Sequence, residues 1–259
     1  MANLYTRRLL LRLFTLGILL ACLGILSSNR SAGLLADTKE SALMPIQAPT
    51  LKVKAQTDTP LLISSPRLLS WDGREGEFAF ELVNVSGKSI RAYAIKQEEE
   101  AGGSQASGVL FSNLDLTSSP ALQPNQSQTI ADTCEAISDK EQSITLSVDY
   151  AEFSDGTKWG SDTGMSAERS AGQRAAAIFI SKRLAKIQSE SNANEVMKVI
   201  EATSDTLEPP VDHSEEWKAG FRSAYKLITA RLKNAQKQGG ANQVQQKLRQ
   251  LSETFKGVN

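Results

Sequence analysis

Residues 143–150 read SITLSVDY, a strict alternation of polar and apolar side chains. Alternation with a period of two is the pattern of a half-buried β-strand. The predicted inward side chains are those of Ile144, Leu146, Val148 and Tyr150. Residues 154–157 then read SDGT, and Asp-Gly supplies the positive φ angles that a tight hairpin needs. We therefore expect a hairpin that returns into a last strand at residues 158–160.

Short strands with turns between them continue upstream of this hairpin. Residues 77–83, EFAFELV, alternate in the same way and are followed by a glycine-containing turn. The next predicted strand covers residues 89–97. The side chains predicted to share one of its faces are Ile90, Ala92, Ala94 and Lys96. Residues 98–108 are polar and contain glycine, so they predict a long loop. Two shorter strands are expected, at residues 108–111 and 127–134.

About seven short strands in roughly 100 residues form the pattern of an immunoglobulin-like sandwich. The chain has no Cys-Trp-Cys framework, which excludes an antibody-type domain. After Thr163 the alternating pattern of strands is replaced by the apolar periodicity of helices. The predicted fold class is α+β by segregation: an immunoglobulin-like antiparallel β-sandwich followed by a helical C-terminal segment of three to four helices. The predicted divisions are residues 1–36, a signal peptide or N-terminal membrane anchor; 37–60, a linker with a short strand; 61–165, the sandwich; and 166–259, the helical segment.

One-sided apolar stripes indicate the helices. The first stripe is Ala177, Ile180, Leu184 and Ile187, and a shorter one is Val196, Val199, Ile200 and Thr203. After Pro209-Pro210, Asp212 and Glu215 have the spacing of a capping box, which predicts the start of a long helix. Gly239-Gly240 predicts its end. The stripe of the long helix is Trp217, Phe221, Ala224, Ile228 and Leu232, and that of the last helix is Val244, Leu248, Leu251 and Phe255.

Two runs of sequence resemble exported bacterial proteins that carry an immunoglobulin-like domain. Residues 78–90, FAFELVNVSGKSI, are similar to the central strand pair of such modules. Residues 148–160, VDYAEFSDGTKWG, look like the terminal hairpin of an uncharacterised group among them. The resemblance covers about residues 61–165, with a looser similarity in the helical tail. It implies a fold and no activity, so it carries no catalytic residue over to this chain.

The N-terminal segment predicts the location of the protein. Three arginines precede an uncharged, mostly aliphatic run at residues 13–26, which is the arrangement of a secretory signal. The sequence leaves open whether this segment is cleaved, lipidated at Cys22 within a lipobox-like Leu-Ala-Cys, or retained as a membrane tether through residues 7–28. In each case we expect the rest of the chain to work outside the cytoplasm, in the periplasm or secreted.

Charge is divided along the chain. The net charge is zero, but residues 37–165 carry 10 basic and 19 acidic residues, whereas residues 166–259 carry 15 basic and 10 acidic ones. Opposite charges favour docking of the two segments on each other, or of the basic segment on an anionic surface. Two independently solvated faces are the alternative. Cys134 is the only cysteine after Cys22, so we expect a buried thiol, with intermolecular pairing as the alternative.

Acidic residues near the terminal hairpin are the weak candidates for a metal site. They are Asp149, Glu152, Asp155 and Asp162. Carboxylate oxygens of this kind suit calcium, and the same set could supply a carboxylate pair for glycoside hydrolysis. A structural role is the alternative, because the hairpin turn itself needs Asp155. His213 is the only histidine and lies in a predicted helix cap, so neither a catalytic triad nor a structural zinc site is expected. No cofactor motif is recognised.

The long helix carries the candidate partner-contact residues, which are Trp217, Phe221, Tyr225, Arg222 and Lys226. We expect Trp217 and Phe221 to face the helical core and Tyr225 to lie at its edge. The alternative is an aromatic contact with a partner or with the membrane interface. The cations of this helix are either solvated or in contact with anionic lipid or envelope polymer, and no nucleic-acid-binding motif accompanies them.

These patterns favour a non-catalytic extracytoplasmic binding or structural module of the bacterial envelope. Its partner would be an envelope protein, polymer or lipid, and neither a cofactor nor a nucleic acid is expected. The second hypothesis is an assembly or regulatory subunit whose basic helices engage a partner protein. An envelope-acting enzyme is the third.

Overall fold

Eight strands are present in the part of the chain that the computed structural model describes. The described residues are 47–116, 121–137, 140–188, 196–198, 201, 209 and 212–254. The strands are β1 (Thr50–Val53), β2 (Leu61–Trp71), β3 (Glu75–Asn84), β4 (Ile90–Ala101), β5 (Ser104–Asn113), β6 (Ser127–Glu135), β7 (Gln142–Phe153) and β8 (Lys158–Trp159). The predicted leader lies outside the described residues.

Two sheets are built from these strands. The first has the order β1-β7-β4-β5, with β8 also paired to β7, and the second has the order β2-β3-β6. All pairs are antiparallel except β1 with β7, which run parallel. The hairpin predicted at residues 154–157 joins β7 to β8 and is therefore confirmed.

Apolar side chains of both sheets form one shared core. Its fully buried members include Leu61, Phe78, Phe80, Leu82, Ile95, Ile144 and Leu146. Cys134 at the end of β6 belongs to the same core and is 1% exposed. The chain is therefore α+β, with two facing sheets followed by helices, as the sequence predicts at this level.

A β-bulge in β4 changes which side chains face the core. Ile90 lies opposite Phe153 and Ala92 lies opposite Glu152, so Arg91 is an extra residue with no partner in β7. An extra residue reverses the side on which all later residues lie. Ile90 therefore joins the core between the sheets, whereas Ala92 faces outward. The prediction that these two share one face is wrong for this reason.

A second bulge in β7 has the same effect on the most regular stretch of the sequence. Ala94 lies opposite Tyr150 and Ile95 lies opposite Val148, so Asp149 is the extra residue. Val148 faces the core between the sheets, and Tyr150 packs instead on the outer face of the first sheet. The prediction that Tyr150 continues the inward row is therefore wrong.

The long loop predicted at residues 98–108 is a strand hairpin. β4 continues to Ala101, and β5 begins at Ser104. Gly102 and Gly103 between them have φ angles of 56° and 91°, which a two-residue hairpin turn requires. The prediction failed because this end of the hairpin is largely exposed, so its polar side chains give no alternating pattern.

Two long helices follow the sheets and pack on each other: α1 (Ser166–Gln188) and α2 (Glu215–Thr254). The backbone of α2 leaves helical geometry at Gly239 and Gly240, where the sequence predicts the end of one helix and the start of another. The shared helical core contains Ala177, Ile180, Val196, Trp217, Phe221, Ala224, Ile228, Leu232, Val244 and Leu248. The predicted stripe positions Val199, Ile200, Thr203 and Phe255, and the side chains of Leu184 and Ile187, lie outside the description.

The helix α2 begins at a different cap from the one predicted. Ser214 Oγ accepts a hydrogen bond from the backbone N–H of Trp217 at 3.2 Å, so Ser214 and not Asp212 is the N-cap. Serine and aspartate cap helices about equally well, so the sequence alone could not choose between them. His213 stacks on Trp217, with 3.9 Å between the ring centroids.

The two helices cross at a pair of glycines. A Cβ atom on Gly172 of α1 would lie 2.0 Å from the backbone oxygen of Trp217. A Cβ atom on Gly220 of α2 would lie 2.2 Å from the backbone oxygen of Arg169. Real Cβ atoms do not approach backbone this closely, so both positions require glycine.

We predict that Gly172→Ala lowers the free energy of unfolding by roughly 1–3 kcal/mol, because the added methyl group forces the helices apart. Urea denaturation gives this value. Gly87→Ala is the matched control, because a Cβ atom there meets nothing within 4 Å. A Gly172→Ala protein at least as stable as the parent would show that the close crossing is absent.

Candidate functional site

A buried carboxylate lies between the first sheet and helix α1. Glu152, near the end of β7, is 1% exposed. Its Oε1 accepts hydrogen bonds from Arg91 Nη2 at 2.6 Å and Nε at 3.2 Å. Its Oε2 accepts hydrogen bonds from Tyr150 Oη at 2.7 Å, Ser170 Oγ at 3.0 Å and Arg174 Nη1 at 2.9 Å. We call these five residues the Glu152 cluster.

The two bulges and one helical turn bring the Glu152 cluster together. The bulge at Arg91 places this residue next to the Ala92–Glu152 pair. The bulge at Asp149 turns Tyr150 and Glu152 to the outer face of the sheet, toward α1. Ser170 and Arg174 are four residues apart on α1, so they lie on the same side of the helix, and Arg174 Nη1 also contacts Ser170 Oγ at 2.7 Å.

The charges of the cluster determine its protonation. Burial on its own raises the pKa of Glu152, but the hydrogen bond from Arg91, the charge of Arg174 and the hydroxyl of Tyr150 outweigh it and lower the pKa to about 2. Burial and the neighbouring Glu152 carboxylate raise the pKa of Tyr150. At neutral pH the carboxylate is thus ionised and the phenol is protonated.

A second acid belongs to the same electrostatic environment. Burial raises the pKa of Asp115, in the short 3₁₀-helix Leu114–Leu116, while the charges of Arg91 and Arg174 act against the rise. Two arginines and two acids thus lie in one electrostatic environment at this interface. Buried charges are tolerated when they are paired and hydrogen-bonded.

The arrangement acts as a clamp between α1 and the sheet. Both oxygens of Glu152 are engaged by protein groups, and Tyr150 is held in its protonated form. Apolar contacts accompany the clamp, because Ala167 of α1 packs against the outward cluster of Ala92, Ala94 and Tyr150. Arg231 of α2 also donates a hydrogen bond to the backbone oxygen of Leu116, which adds a contact between α2 and the 3₁₀-helix Leu114–Leu116.

The other three acidic candidates have separate structural partners. Asp149 accepts hydrogen bonds from Thr163 N at 3.1 Å and Gly164 N at 3.0 Å. Asp162 accepts from the first two amides of α1, at 2.5 and 3.1 Å. Asp155 pairs with Lys88 and holds the hairpin turn. Among the described residues, no group of three or more histidine, cysteine or acidic side chains could hold a metal ion.

The candidate partner-contact residues divide into buried and exposed members. Trp217, Phe221 and Tyr225 are between 5% and 8% exposed and belong to the helical core. Tyr225, expected at the edge of this core, is as deeply buried as Phe221. Arg222 and Lys226 are exposed on the opposite side of α2. The structure therefore places the aromatic and the basic candidates on different faces.

Sequence reasoning missed the central role of Arg91, Ser170 and Arg174. The sequence predicts an ordinary strand around Arg91, because nothing in its neighbours marks a bulge. One signal is present in α1, where Ser170 and Arg174 are four residues apart and therefore share a side of the helix. Their buried acceptor, however, lies 18 to 22 residues away on a strand, which periodicity alone does not connect.

Comparison with known proteins gives no family for this chain. No protein-family model and no curated protein matches it. Similar solved structures include a Northeast Structural Genomics Consortium target, SoR45 (8% identity, TM-score 0.29, covering 39% of this chain and 79% of that one). Others are a hypothetical protein from Peptoclostridium difficile 630 (13%, 0.28, 40% and 88%) and the putative ApaA protein from Bordetella pertussis (12%, 0.28, 38% and 84%). TM-scores this low do not establish a common fold.

The described helices also bear on membrane insertion. None of them is both long enough and apolar enough to cross a bilayer.

We predict that Glu152→Gln lowers the free energy of unfolding by about 3–5 kcal/mol, because it leaves two arginines, with side chains only 14% and 11% exposed, without their carboxylate. The loss should depend on pH. Since folding lowers the pKa of Glu152 from 4.5 to about 2, the ionised carboxylate contributes about 3 kcal/mol above pH 4.5, and this is lost as the pH falls toward 2. Urea denaturation at a series of pH values between 4.5 and 2 should show that the free energies of unfolding of the parent and the variant approach each other as the pH falls.

Asp155→Asn is the control for this experiment, because its pair with Lys88 is exposed. Such pairs contribute little, so we expect a small change. A difference between the parent and Glu152→Gln that stays constant from neutral pH to pH 2 would contradict the clamp.

We also predict that Cys134 is unreactive in the folded protein. Burial, with smaller effects of Glu99 and Asp132, raises the pKa of its thiol to about 11, and only the thiolate reacts with disulfide reagents. In a Cys22→Ser background, an aromatic disulfide reagent at neutral pH should modify Cys134 only after denaturant is added. Rapid modification of the folded chain would contradict its burial.

Proposed function

We propose that this protein is a non-catalytic binding module of the bacterial envelope, exported through its N-terminal segment. Export is motivated by the arginines and the apolar run before residue 27. A C-terminal phosphatase reporter that folds only in an oxidising compartment tests it, and a fusion protein that accumulates in cells without phosphatase activity would end the export proposal. The membrane tether through residues 7–28 belongs to the same proposal.

We further propose that the two sheets have the topology of an immunoglobulin-like sandwich. If β2 to β8 are lettered A, B, C, C′, E, F and G, the sheets become A-B-E and C′-C-F-G. This is the division of strands in immunoglobulin-type folds. The short β8 and the parallel β1 share the free edge of β7, so together they fill the position of a full G strand. An experimental structure with a different strand order would contradict this assignment.

The observation that carries the binding role is an exposed row of cations on α2. Residues 217–238 contain six basic residues and no acid. Arg222, Lys226, Lys233 and Lys237 fall within a narrow arc of the helix, because they are spaced by four, seven and four residues. Lys233 contacts Glu201 at 3.6 Å. Within the described part of the chain, Arg222, Lys226 and Lys237 have no ion pair with a carboxylate.

The division of the charges supports binding rather than catalysis. The charges of the Glu152 cluster pair with each other between helix α1 and the sheet, whereas the exposed Arg222, Lys226 and Lys237 of α2 are available to an external anion. A cationic face of this kind is attracted to anionic lipid headgroups or to an anionic envelope polymer.

We predict that reversing two of these cations weakens binding to an anionic surface. The full chain carrying Arg222→Glu and Lys226→Glu should bind vesicles rich in phosphatidylglycerol about ten-fold or more weakly than the parent, since each basic residue near such a surface contributes about 1 kcal/mol. Vesicle flotation at several salt concentrations gives the affinity. Vesicles of phosphatidylcholine alone report any contribution of the leader.

The matched control is Lys52→Glu with Lys158→Glu, which makes the same change in net charge on exposed residues of β1 and β8. We expect it to bind the anionic vesicles like the parent. Equal losses in both double variants would mean that net charge and not the α2 face is responsible. No preference of the parent for anionic vesicles would favour the second candidate, an assembly subunit that engages a partner protein. That candidate is favoured by β5, an edge strand whose ten residues contain neither a charge nor a proline.

A further inference from the structure

The strand β1 covers the edge of β7 with few contacts. It has four residues, of which Thr50, Lys52 and Val53 are exposed. Its remaining residue, Leu51, is half-buried and packs against the core between the sheets. β1 also runs parallel to β7, whereas the other strand pairs of the described chain are antiparallel, and parallel pairing is slightly less stable per residue. Detachment of β1 therefore exposes little apolar surface.

The side chain of Gln56 extends this pairing beyond the end of β1. Its Nε2 donates a hydrogen bond to the backbone oxygen of Val148 at 2.8 Å, and its Oε1 accepts one from the backbone N–H of Val148 at 2.7 Å. Between them, Lys54 N donates to the backbone oxygen of Leu146 at 2.9 Å. The carboxamide of Gln56 thus takes the place of a peptide group on this edge. Residues 50–56, TLKVKAQ, are the sequence that the structure shows to fit the edge of β7.

A short hinge joins β1 to β2 of the other sheet. The hinge consists of residues 54–60, and Asp58 within it has a φ angle of 56°. This left-handed conformation is unfavourable for a residue that carries a side chain. An extended hinge would release Asp58 from it. Short hinges under strain favour the exchange of a terminal element between two copies of a chain.

Three apolar side chains flank the hinge and are between 39% and 50% exposed. Val53 precedes the hinge, and Leu62 follows it. The third is Val85, whose N–H donates a hydrogen bond to the backbone oxygen of Pro60 at the end of the hinge. A two-fold axis between two copies would place their hinges side by side. These side chains of both copies would then meet, so a second copy would cover apolar surface that one copy leaves exposed.

We propose that two copies of the chain exchange β1, so that residues 50–56 of each copy pair with β7 of the other. Each contact of β1 with β7 is kept in such a dimer, because the incoming strand has the same sequence. Both hinges extend, which frees Asp58 from its left-handed conformation. This inference goes beyond the proposed function and does not rest on it. The dimer would present two basic α2 faces, and two linked sites bind a surface more tightly than one.

A pair of cysteines shows which copy supplies the strand. Lys52 and Thr145 lie opposite each other in register, and the spacing of neighbouring strands, about 4.8 Å, is one that a disulfide can span. Two full-length chains with different tags are co-expressed in a Cys22→Ser background. One carries Lys52→Cys and the other carries Thr145→Cys, so neither can form this disulfide within itself. We expect mild oxidation to join the two tagged chains.

The matched control replaces Lys52→Cys by Leu69→Cys, an exposed position on β2, and we expect it to give no joined chains. A single chain that carries both Lys52→Cys and Thr145→Cys should lose its two free thiols, which shows that the register permits the bond. If this chain is oxidised but the differently tagged chains stay separate, exchange is overturned. Equal joining in the control would mean random collision and would overturn it as well.

Two variants of the hinge should shift the equilibrium in opposite directions. Asp58→Gly removes the penalty of the left-handed conformation and stabilises the closed monomer. Asp58→Pro cannot adopt a positive φ angle, so it favours the extended hinge. In sedimentation of the full chain in one mild detergent, we expect the dissociation constant of the dimer to rise about ten-fold or more with glycine and to fall by a similar factor with proline. Equal constants in all three chains would overturn exchange through this hinge.

A variant of Gln56 separates the strand from the hinge. Gln56→Leu removes both hydrogen bonds to Val148, and it removes them equally from the monomer and from the exchanged dimer. It should therefore leave the dissociation constant unchanged and speed the mixing of differently tagged dimers about ten-fold or more. An unaltered mixing rate would show that β1 does not detach, and would overturn the proposal.

The outcome is distinguishable from that of the vesicle experiment. The variants of Asp58 and Gln56 leave the basic residues of α2 unaltered, so a chain that remains a monomer can still prefer anionic vesicles. Absence of joined chains with preserved vesicle binding overturns only the exchange of β1. Joined chains without a preference for anionic vesicles support the exchange and overturn only the earlier proposal.

Discussion

The attachment of the helices to the sheet depends on one buried carboxylate. Glu152 accepts hydrogen bonds from Arg91 on the sheet and from Arg174 on α1, so a single negative charge joins two elements that periodic hydrophobicity would leave separate. Removing an ion from water is costly and is offset only when several partners surround it. The five donor contacts to Glu152 meet this condition, and the two from Ser170 and Arg174 hold α1 against β7.

The bulges at Arg91 and Asp149 allow Glu152 to contact both the sheet and α1. A regular strand with the pattern of residues 143–150 would have continued to point even-numbered side chains into the core, including that of Glu152. The extra residue at Asp149 sends Tyr150 and Glu152 outward, and Asp149 itself binds the loop that leads into α1. One local irregularity thus turns the acid toward the helix and also positions the start of that helix.

The strands, the terminal hairpin and the helix stripes could be predicted from the sequence because they depend on local periodicity and turn chemistry. The orientation of Tyr150 could not, because a bulge is set by pairing with β4 and leaves no mark in residues 143–150. The hairpin at Gly102-Gly103 was also missed, since its exposed strands carry no apolar alternation. The acidic candidates were recognised as a group, but the basic partners that give Glu152 its role come from elements distant in sequence.

The pKa of Glu152 in the native chain tests the clamp most directly. Carbon-detected NMR of the side-chain carboxyl group, followed during acid titration, reports it at a single site. The clamp requires the carboxylate to stay ionised well below pH 4.5, with a pKa of about 2. Titration of the folded protein near pH 4.5 would show that Glu152 is hydrated and unpaired, and would contradict the attachment of α1 to the sheet through this residue.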